Sequence, residues 1–363
     1  MEFAFSQEQD MLRTSVAKYL EKNYDFDTRQ ALVRSDEAWS DDVWSQFAEL
    51  GLLALPFSED KGGLGGSIAD CVAFAGHFGK HLVIEPFAHT IMLAGAALEA
   101  STHESAPEWI EKLASGEAIV AFAYEEGTGT STPDMIRTAA TKADEGYTIT
   151  GEKRLVIAGA QADAVIVAAR TSHDALGLFL VAKDAPGLTN RAYTTIDGQS
   201  AAKMTLKDAP CEALLEDASE ALETILTNAI IVQSAEAVGA MEALLSTTAE
   251  YAMTRKQFGK PIMMFQSVAH RLSDMKIAYT KALSTLTYTT ALANSGGATK
   301  RDISVLKAQI GVLGRAIGEA AIQTHGGVGL TDELNISHYH KRLLAYDAQL
   351  GDHAYHLRVV GSA

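Results

Sequence analysis

Cysteine is nearly absent from this sequence, which has only Cys71 and Cys211 among its 363 residues. Two cysteines so far apart make neither a disulfide framework nor a zinc site. Basic residues are also scarce, 30 against 46 acidic ones, and the formal net charge is −16. A surface of this charge repels nucleic-acid phosphates and anionic membranes, so neither is an expected partner.

Long apolar runs are missing as well. No stretch approaches about 18 residues without a polar interruption, so the sequence predicts no transmembrane helix. Residues 1–6 contain no basic segment followed by an apolar run, so we expect no secretory signal and a cytoplasmic protein. There is no P-loop, no Gly-x-Ser-x-Gly elbow, no Gly-x-Gly-x-x-Gly turn and no His-Glu-x-x-His pair, which excludes several common enzyme classes.

The pattern of apolar residues changes along the chain. Apolar residues recur at helical spacing up to about residue 117, as in the series Val43, Phe47 and Leu50. Short β-branched and aromatic runs, divided by Gly, Pro, Asp and Thr, then predict strands near 118–124, 147–151, 164–169 and 176–181. The fold is therefore predicted to be mainly α with a central β-domain, divided into 1–117, 118–217 and 218–363.

The last region has the strongest helical period. Ile303, Leu306, Ile310, Leu313 and Ile317 step by three and four residues along one face. The same stretch contains Gly311, Gly314 and Gly318. Because each glycine lowers helix stability by about 1 kcal/mol, we expect another backbone to pack closely there.

Two motifs carry the most specific information. One is Arg255-Lys256-Gln257-Phe258-Gly259 with Phe265-Gln266 after it, and the other is Gln323-Thr324-His325-Gly326-Gly327. Alone, Arg-x-Gln-Phe-Gly would more often be a capped helix end. In combination, the motifs closely resemble the acyl-CoA dehydrogenase family, over the whole chain and with the three regions in the family's order. The chain is most similar to the branch typified by the pimeloyl-CoA dehydrogenase small subunit.

The resemblance implies a fold, a cofactor and a reaction. The implied fold is a helical N-domain, a β-domain and a C-terminal four-helix bundle. The implied reaction is α,β-dehydrogenation of an acyl-CoA thioester by FAD, which electron-transfer flavoprotein then reoxidises. Such reactions belong to fatty-acid or steroid side-chain β-oxidation, and the acyl groups of this branch are dicarboxylyl or bulky and ring-bearing.

The resemblance also implies which residues contact FAD, across a dimer interface. Arginine offers a planar, permanently charged fork to the pyrophosphate, and paired glycines let backbone N–H groups approach an anion. Phe258 would lie beside the cofactor, and Gly259 would end the helix. The expected contacts are Arg255, Phe258, Gln266, Gln323, Gly326 and Gly327.

The sequence departs from the family at the catalytic base. Most members have a Glu before Gly-Thr in a C-terminal loop, and here that position is Leu350. A minority have the Glu early in the long helix, where this chain has Ala229 and Ile230. Asp347 and Asp352 lie nearby, and we interpret them as a solvated surface charge and a helix cap. The catalytic residue is therefore left unassigned.

The flavin-ring stretches depart from the family too. The family's Thr-Glu-Pro-x-Ala-Gly-Ser-Asp corresponds to residues 125–131, and its Trp-Ile-Thr-Asn to Leu155-Val156-Ile157-Ala158. Leu155 removes a stacking face and Ile157 removes a hydroxyl donor. The basic–acidic pair of the family's C-terminal motif is altered to His338 and Arg342.

These losses favour the small subunit of a hetero-oligomer, such as a heterotetramer, whose large subunit supplies the base. Three alternatives stay open. They are a non-catalytic structural subunit, a same-fold flavin enzyme such as a monooxygenase or desulfinase, and a homodimeric dehydrogenase with an unusual Asp. A metal site is not expected, because histidine pairs on helices are more often surface or hydrogen-bonded core residues. The residues concerned are His338, His340, His353 and His356.

Overall fold

A computed structural model describes residues 5–35, 37, 39–127, 132–144, 146–171 and 175–362. The chain divides into two compact units, each built from separate segments. Unit 1 comprises Met1–Gln30, Val72–Val83 and Ile231–Ala363, and unit 2 comprises Ala31–Cys71 and Ile84–Ile230. The predicted order of a helical N-terminal region, a central β region and a C-terminal helical region is confirmed. The exact boundaries at 117/118 and 217/218 stay predictions.

The N-terminal region consists of short helices. The predicted apolar series is confirmed at Val43 and Phe47, which are buried in α3, whereas Leu50 is the half-buried C-cap. The Ser40 hydroxyl accepts a hydrogen bond from the Val43 N–H at 3.3 Å. The helices are α1 (Gln7–Asn23), α2 (Phe26–Arg34), α3 (Asp41–Glu49), α4 (Ile68–His81), α5 (Phe87–His89), a π-helical turn (Thr90–Gly95), α6 (Ala96–Ala100) and α7 (Ala106–Ser115).

The central region is one sheet, which lies within unit 2. Strands β4, β5, β7, β3 and β2 pair in succession, and β2 pairs back to β4, so the described strands close into a ring. β1 runs parallel to β4, and β6 extends the sheet beyond β7. The strands are β1 (Val120–Ala123), β2 (Ala139–Lys142), β3 (Tyr147–Ile157), β4 (Ala164–Arg170), β5 (Leu176–Ala182), β6 (Leu188–Thr194) and β7 (Ser200–Leu215).

The C-terminal region is helical apart from one small hairpin. α10 packs against α9, α11 and α12, and it carries the apolar face predicted from the sequence. The elements are α8 (Ser219–Thr254), the two-residue strands β8 (Lys256–Gln257) and β9 (Lys260–Pro261), α9 (Gln266–Asn294), α10 (Lys300–His325), a 3₁₀ turn (Gly326–Leu330), α11 (Asn335–Ala348) and α12 (His353–Ser362).

α8 is long and apolar enough to cross a membrane by length and composition alone. However, 78% of its most apolar window is buried inside the protein, as is usual for the core helix of a globular fold. The burial makes its length weak evidence for a membrane span.

The expectation about the α10 glycines is wrong in its detail. A Cβ on Gly311 would lie 2.2 Å from Asp347 Oδ1, and one on Gly318 would lie 2.0 Å from His340 Nδ1. The space above these glycines is therefore filled by side chains of α11 and not by another backbone. Close backbone approach occurs elsewhere, where α4 crosses α8 and a Cβ on Gly239 would lie 1.8 Å from the Gly76 carbonyl oxygen.

Candidate functional site

The Arg255–Gly259 motif forms a tight hairpin directly after α8. The Arg255 N–H donates to the Tyr251 carbonyl at 2.8 Å as the last helical bond, and the Ile262 N–H donates to the Arg255 carbonyl at 2.8 Å. Phe258 and Gly259 have φ of +52° and +79°, so they form the turn between β8 and β9. The prediction that Gly259 ends the helix is therefore wrong, because α8 already ends at Thr254.

Phe258 occupies the tip of this hairpin. Phe258 is 91% exposed, and its ring meets the edge of the Phe265 ring, with 6.0 Å between the ring centroids. A left-handed backbone costs a residue other than glycine about 1–2 kcal/mol. An exposed aromatic side chain held in a strained turn is typical of a residue that contacts a ligand or a partner.

The hairpin is also a basic patch on an acidic protein. Arg255, Lys256 and Lys260 are exposed, and residues 251–265 contain no acidic side chain. Within the part of the chain that the structure describes, none of the three cations forms an ion pair. Their charge is therefore available to an anion.

Gln266 lies beside this patch as the first residue of α9. It is exposed, and its side-chain nitrogen lies 3.4 Å from His270 Nε2, one turn along the helix. The free backbone N–H groups of a helix N-terminus favour negative charge. This side chain and the cationic hairpin thus lie at adjoining positions.

The second motif lies at the end of α10. Gln323 is exposed on the last turn, and Gly326 has φ +67° and ψ −148°, a conformation that is essentially restricted to glycine. Apart from the adjoining residues of the chain, no described atom lies within 4 Å of a Cβ built on Gly326 or Gly327. The backbone here is open for a ligand to approach.

A ring stack joins the two motifs. Tyr251, one turn before Arg255, stacks on His325, which directly precedes the glycine pair, with 4.3 Å between ring centroids. His325 is buried, and burial lowers the pKa of its imidazole. The structure therefore brings together the two segments that the sequence proposed as one site.

The two stretches that the resemblance assigns to the flavin ring also meet, within unit 2. Glu125 and Leu155 form an isolated antiparallel bridge, and the Arg154 N–H donates to the Glu125 carbonyl at 2.8 Å. Ala158 has φ +58° where the family has an asparagine, a residue that tolerates this conformation better. The predicted stretch at 128–131 lies outside the described residues.

A buried ion pair supports this bridge and could not be recognised from the sequence. Lys153, with 0% exposure, donates to Glu126 Oε1 at 2.7 Å and to the Ala168 carbonyl at 2.7 Å. Burial lowers the pKa of Lys153 to about 8, although Glu126 opposes that shift. Burial alone would raise the pKa of Glu126, but the Lys153 ammonium and backbone N–H donors outweigh it and hold the pKa below its usual value.

The position of the family's base has an unusual backbone but no titratable group. Leu350 is 8% exposed with φ +52°, and Gly351 follows with φ +92°. The alternative positions, Ala229 and Ile230, are buried in α8. None of the three side chains can remove a proton.

The two neighbouring aspartates are both engaged. Asp352 Oδ1 accepts from the Tyr355 N–H at 2.8 Å, so its interpretation as a helix cap is confirmed. Asp347 is 4% exposed, so its interpretation as a solvated surface charge is wrong. It accepts from the His353 N–H at 3.0 Å and lies 2.7 Å from His353 Nδ1, because the missing side chain of Gly311 leaves room for it beside α10.

His338 and Arg342 are buried in unit 1 and serve the packing there. His338 Nδ1 lies 3.3 Å from Arg29 Nη1, and Arg342 donates to the Val83 carbonyl at 2.9 Å. Among the described residues, no three His, Cys, Asp or Glu side chains converge as metal ligands would.

Unit 2 contains a cavity that the sequence gave no means of locating. Its volume is about 540 Å³. The lining residues are scattered along the chain, so no local motif marks them. They are Pro56, Phe57, Ile91, Met92, Ala96, Glu99, Ala100, Asp217, Glu220, Ala221, Thr224, Ile225 and Asn228.

Comparison with family models gives three matches in sequence order. They are the acyl-CoA dehydrogenase N-terminal domain over residues 6–117, the middle domain over residues 121–209 and the C-terminal domain over residues 219–363. Together these models span nearly the whole chain.

Known proteins agree with these matches. The acyl-CoA dehydrogenase FadE27 of Mycobacterium tuberculosis is 28% identical over 346 residues, which are 92% of this chain and 90% of FadE27. The crystal structure of the ChsE4–ChsE5 complex from Mycobacterium tuberculosis aligns with a TM-score of 0.91 and 25% identity, over 100% of this chain and 98% of that one. An FAD complex of PigA, 24% identical, shares the fold with a TM-score of 0.89, over 100% of this chain and 98% of that one.

Proposed function

This chain belongs to the acyl-CoA dehydrogenase family of FAD-dependent oxidoreductases, and on that premise we propose that it works as the small subunit of a hetero-oligomer. The assembly dehydrogenates an acyl-CoA thioester between its α and β carbons. This chain holds part of the FAD, and a larger partner chain supplies the base. Likeness to the ChsE4–ChsE5 complex supports an assembly of two different chains.

The observation that carries the proposal is the hairpin tip. Phe258 is almost fully exposed and strained, next to cations without carboxylate partners. Within the described part of the chain, Phe258 has an edge contact with Phe265 but leaves most of its side chain in solvent. This exposure is explained if Phe258 and Arg255 contact a cofactor in the neighbouring subunit.

The residues of unit 1 fit an FAD pyrophosphate and its adenosine. Arg255 would pair with the phosphates, and the open backbone at Gly326 and Gly327 would donate N–H groups to them. Gln266 and Gln323 would hydrogen-bond the polar edges of the adenosine portion. When bound, FAD supplies the chemistry by accepting a hydride from the β carbon.

The absence of a base at the family's positions supports a hetero-oligomer in which the partner chain supplies it. General base catalysis contributes roughly 10²–10⁴ in rate, so a chain with Leu350, Ala229 and Ile230 at the base positions is a poor dehydrogenase alone. Asp352 and Asp347 do not replace the base, because the first caps α12 and the second is buried against His353. A homodimer that uses either aspartate is therefore disfavoured.

A structural role without chemistry is the second candidate. It is favoured by the flavin-ring stretches, where Leu155 is only half-buried and offers no stacking face, and Ile157 offers no donor. The two candidates differ in whether this chain's hairpin contributes to FAD binding. We also propose electron-transfer flavoprotein as the electron acceptor, which the family resemblance implies, and a cytoplasmic location.

Replacement of Arg255 by alanine tests the proposal. The chain is co-expressed with the large subunit, and the FAD affinity of the purified complex is measured. Loss of a charge-assisted phosphate contact should weaken FAD binding by about tenfold or more. Arg301→Ala is the matched control, since Arg301 is an exposed arginine on the first turn of α10. Equal FAD affinity in both variants would contradict the assignment of Arg255.

A further inference from the structure

The 3₁₀ turn Gly326–Leu330, here called the glycine turn, is anchored at both of its ends. The stack of His325 on Tyr251 fixes the residue that precedes it. Beyond its other end, the Ser337 hydroxyl donates to the Thr331 carbonyl at 3.1 Å. The first turn of α11 therefore holds the residue that directly follows the glycine turn.

His338 forms the next contact between α11 and this segment. Its Nε2 lies 3.3 Å from the Asp332 carbonyl oxygen, and its Nδ1 lies 3.3 Å from Arg29 Nη1. A guanidinium has only donors, so Nδ1 is the acceptor and the single ring proton of a neutral imidazole is on Nε2. The Nε2–H group therefore donates to the Asp332 carbonyl. Both contacts require the neutral ring in this one tautomer.

The inner side of His338 is rigid, whereas its outer side is not. Arg29 is fully buried, with its Nε donating to the Leu82 carbonyl at 3.3 Å and its Nη1 to Gln30 Oε1 at 2.6 Å. On the outer side, residues 331–333 are all exposed. A disturbance at His338 is therefore relieved by movement of the segment that follows the glycine turn.

A second proton on His338 would turn the contact with Arg29 into a repulsion. Nδ1 would then carry a hydrogen directed at a permanently charged guanidinium nitrogen only 3.3 Å away. The imidazole faces two further charged groups, Lys341 on α11 and Asp332, whose Oδ1 lies 3.7 Å from Nε2. That carboxylate is exposed and also pairs with the Lys341 ammonium at 2.9 Å, so it compensates little.

We propose that His338 is a positioning residue for the glycine turn, and that uptake of a second proton by its imidazole releases this turn and weakens FAD binding. The proposal rests on the proposed function where it assigns the glycine turn to the FAD phosphates. The contact of His338 with the Asp332 carbonyl does not depend on that assignment.

The direction of the pH effect follows from the environment of the ring. Burial and the Arg29 guanidinium lower the pKa of His338 from its usual value of 6.5 while the ring is docked. A released imidazole takes up its proton more readily, so acid favours the released turn. The loss of FAD should therefore begin as the pH falls below about 6.5.

Titration of FAD into the purified complex of this chain with its partner tests the effect on the cofactor. For the wild type, we expect the dissociation constant of FAD to increase about tenfold from pH 7.5 to pH 5.5. His338→Gln keeps an acceptor for Arg29 and a donor for Asp332 in one amide that takes up no proton, so it should bind FAD tightly at both pH values. His338→Lys carries a fixed positive charge and should bind FAD weakly at both.

His340→Gln is the matched control on the same helix. His340 lies two residues after His338 but faces Gly318 of α10, away from the glycine turn. Burial lowers the pKa of His340 as well, so this variant removes a comparable titration from α11. It should keep the pH dependence of the wild type.

Hydrogen exchange measures release of the turn without FAD. Amide exchange of residues 326–333 is followed in the full chain alone, for the wild type and His338→Gln, at pH 7.5 and pH 5.5. Comparison of the two proteins at one pH cancels the intrinsic pH dependence of exchange. We expect equal rates at pH 7.5 and about tenfold faster exchange in the wild type at pH 5.5. Residues 255–261 of the hairpin should exchange equally in both proteins.

Three results would overturn the proposal. They are an FAD dissociation constant that does not increase at pH 5.5, the same pH dependence in the wild type and His338→Gln, and equal exchange of residues 326–333 in both proteins at pH 5.5. If the complex binds no FAD at any pH, the proposed function fails, and the exchange of residues 326–333 still decides whether His338 holds the turn. If His338→Lys does not fold, the wild type and His338→Gln decide the outcome.

Discussion

The rings of Tyr251 and His325 stack at 4.3 Å and tie the end of α8 to the end of α10. Arg255 lies one helical turn after Tyr251, and Gly326 directly follows His325. The two motifs that mark this family in the sequence are thus parts of one surface in unit 1. Their joint orientation depends on a contact that neither motif includes.

Removal of the stack should therefore affect both motifs. Tyr251→Ala should destabilise the chain by about 1–3 kcal/mol, from the lost ring contact and the space left behind. It should also lower the FAD content of the complex. Tyr251→Phe keeps the ring and serves as the control. Denaturant unfolding and flavin absorbance measure the two effects, and equal FAD content in both variants would argue against a role for the stack.

Gly326 and Gly327 should respond differently to alanine. Gly326→Ala forces a side chain into a glycine-only conformation and should destabilise the chain by about 1–3 kcal/mol. Gly327→Ala meets no described atom within 4 Å, so it should leave stability nearly unchanged. If backbone N–H groups here approach the cofactor, Gly327→Ala should still reduce FAD retention. Unchanged retention in a stable Gly327→Ala complex would show that the cofactor does not come close.

Replacement of Phe258 should have opposite effects on the stability of the isolated chain and on its assembly with the partner. Phe258→Asn places a residue that tolerates positive φ at the turn, so it should stabilise the isolated chain by up to about 1 kcal/mol. The same change removes the apolar contact with the neighbouring subunit and should weaken assembly with the partner. Thermal unfolding of the chain and analytical ultracentrifugation of the complex measure the two. A variant that assembles as tightly as wild type would contradict the interface role.

Stability should fall as the pH decreases below about 6.5. Burial lowers the pKa of His77 and of His356 from 6.5 to about 4. The unfolded chain therefore takes up these protons first, and folding loses up to about 1.4 kcal/mol per pH unit for each histidine in this window. His356→Gln should flatten the dependence between pH 6.5 and 4.5, whereas the exposed-site control His270→Gln should not. Urea unfolding across that range measures it, and identical slopes would contradict the assignment.

The sequence predicted the elements whose periodicity is strong. The α10 face from Ile303 to Ile317 and the buried strand β4 follow directly from apolar spacing. β6 was missed because almost all of its residues are exposed, so no alternation marks it. β7, which spans 16 residues, changes register against two neighbours and also shows no regular alternation.

The candidate site was predicted from its motifs, and only in part from the physical chemistry of its residues. The residue types at Arg255 and Gly326 indicated an anion, but the hairpin conformation of Phe258 and Gly259 did not follow from a segment that resembles a helix end. The sequence does not show that Asp347 is buried, because its burial depends on Gly311, which is 36 residues earlier in the sequence. The cavity was not foreseen because its wall is assembled from separate helices.

Positive φ marks the positions that correspond to the family's site residues more clearly than their residue types do. Among the described residues, five other than glycine have positive φ, and three of them are Ala158, Phe258 and Leu350. These correspond to the flavin-ring stretch, the hairpin tip and the lost base. Strain of this kind persists only where the surrounding structure enforces it, so the structure around each of these three residues holds it in a conformation that its side chain disfavours.

The flavin content and turnover of the chain, measured alone and after co-expression with a large acyl-CoA dehydrogenase subunit, test whether it works as one subunit of a hetero-oligomer. We expect substoichiometric FAD and no dehydrogenation for the chain alone. For the complex we expect bound FAD and acyl-CoA-dependent flavin bleaching. Full FAD occupancy with turnover in the chain alone would contradict the claim that its hairpin serves the cofactor of an assembly whose base comes from the partner.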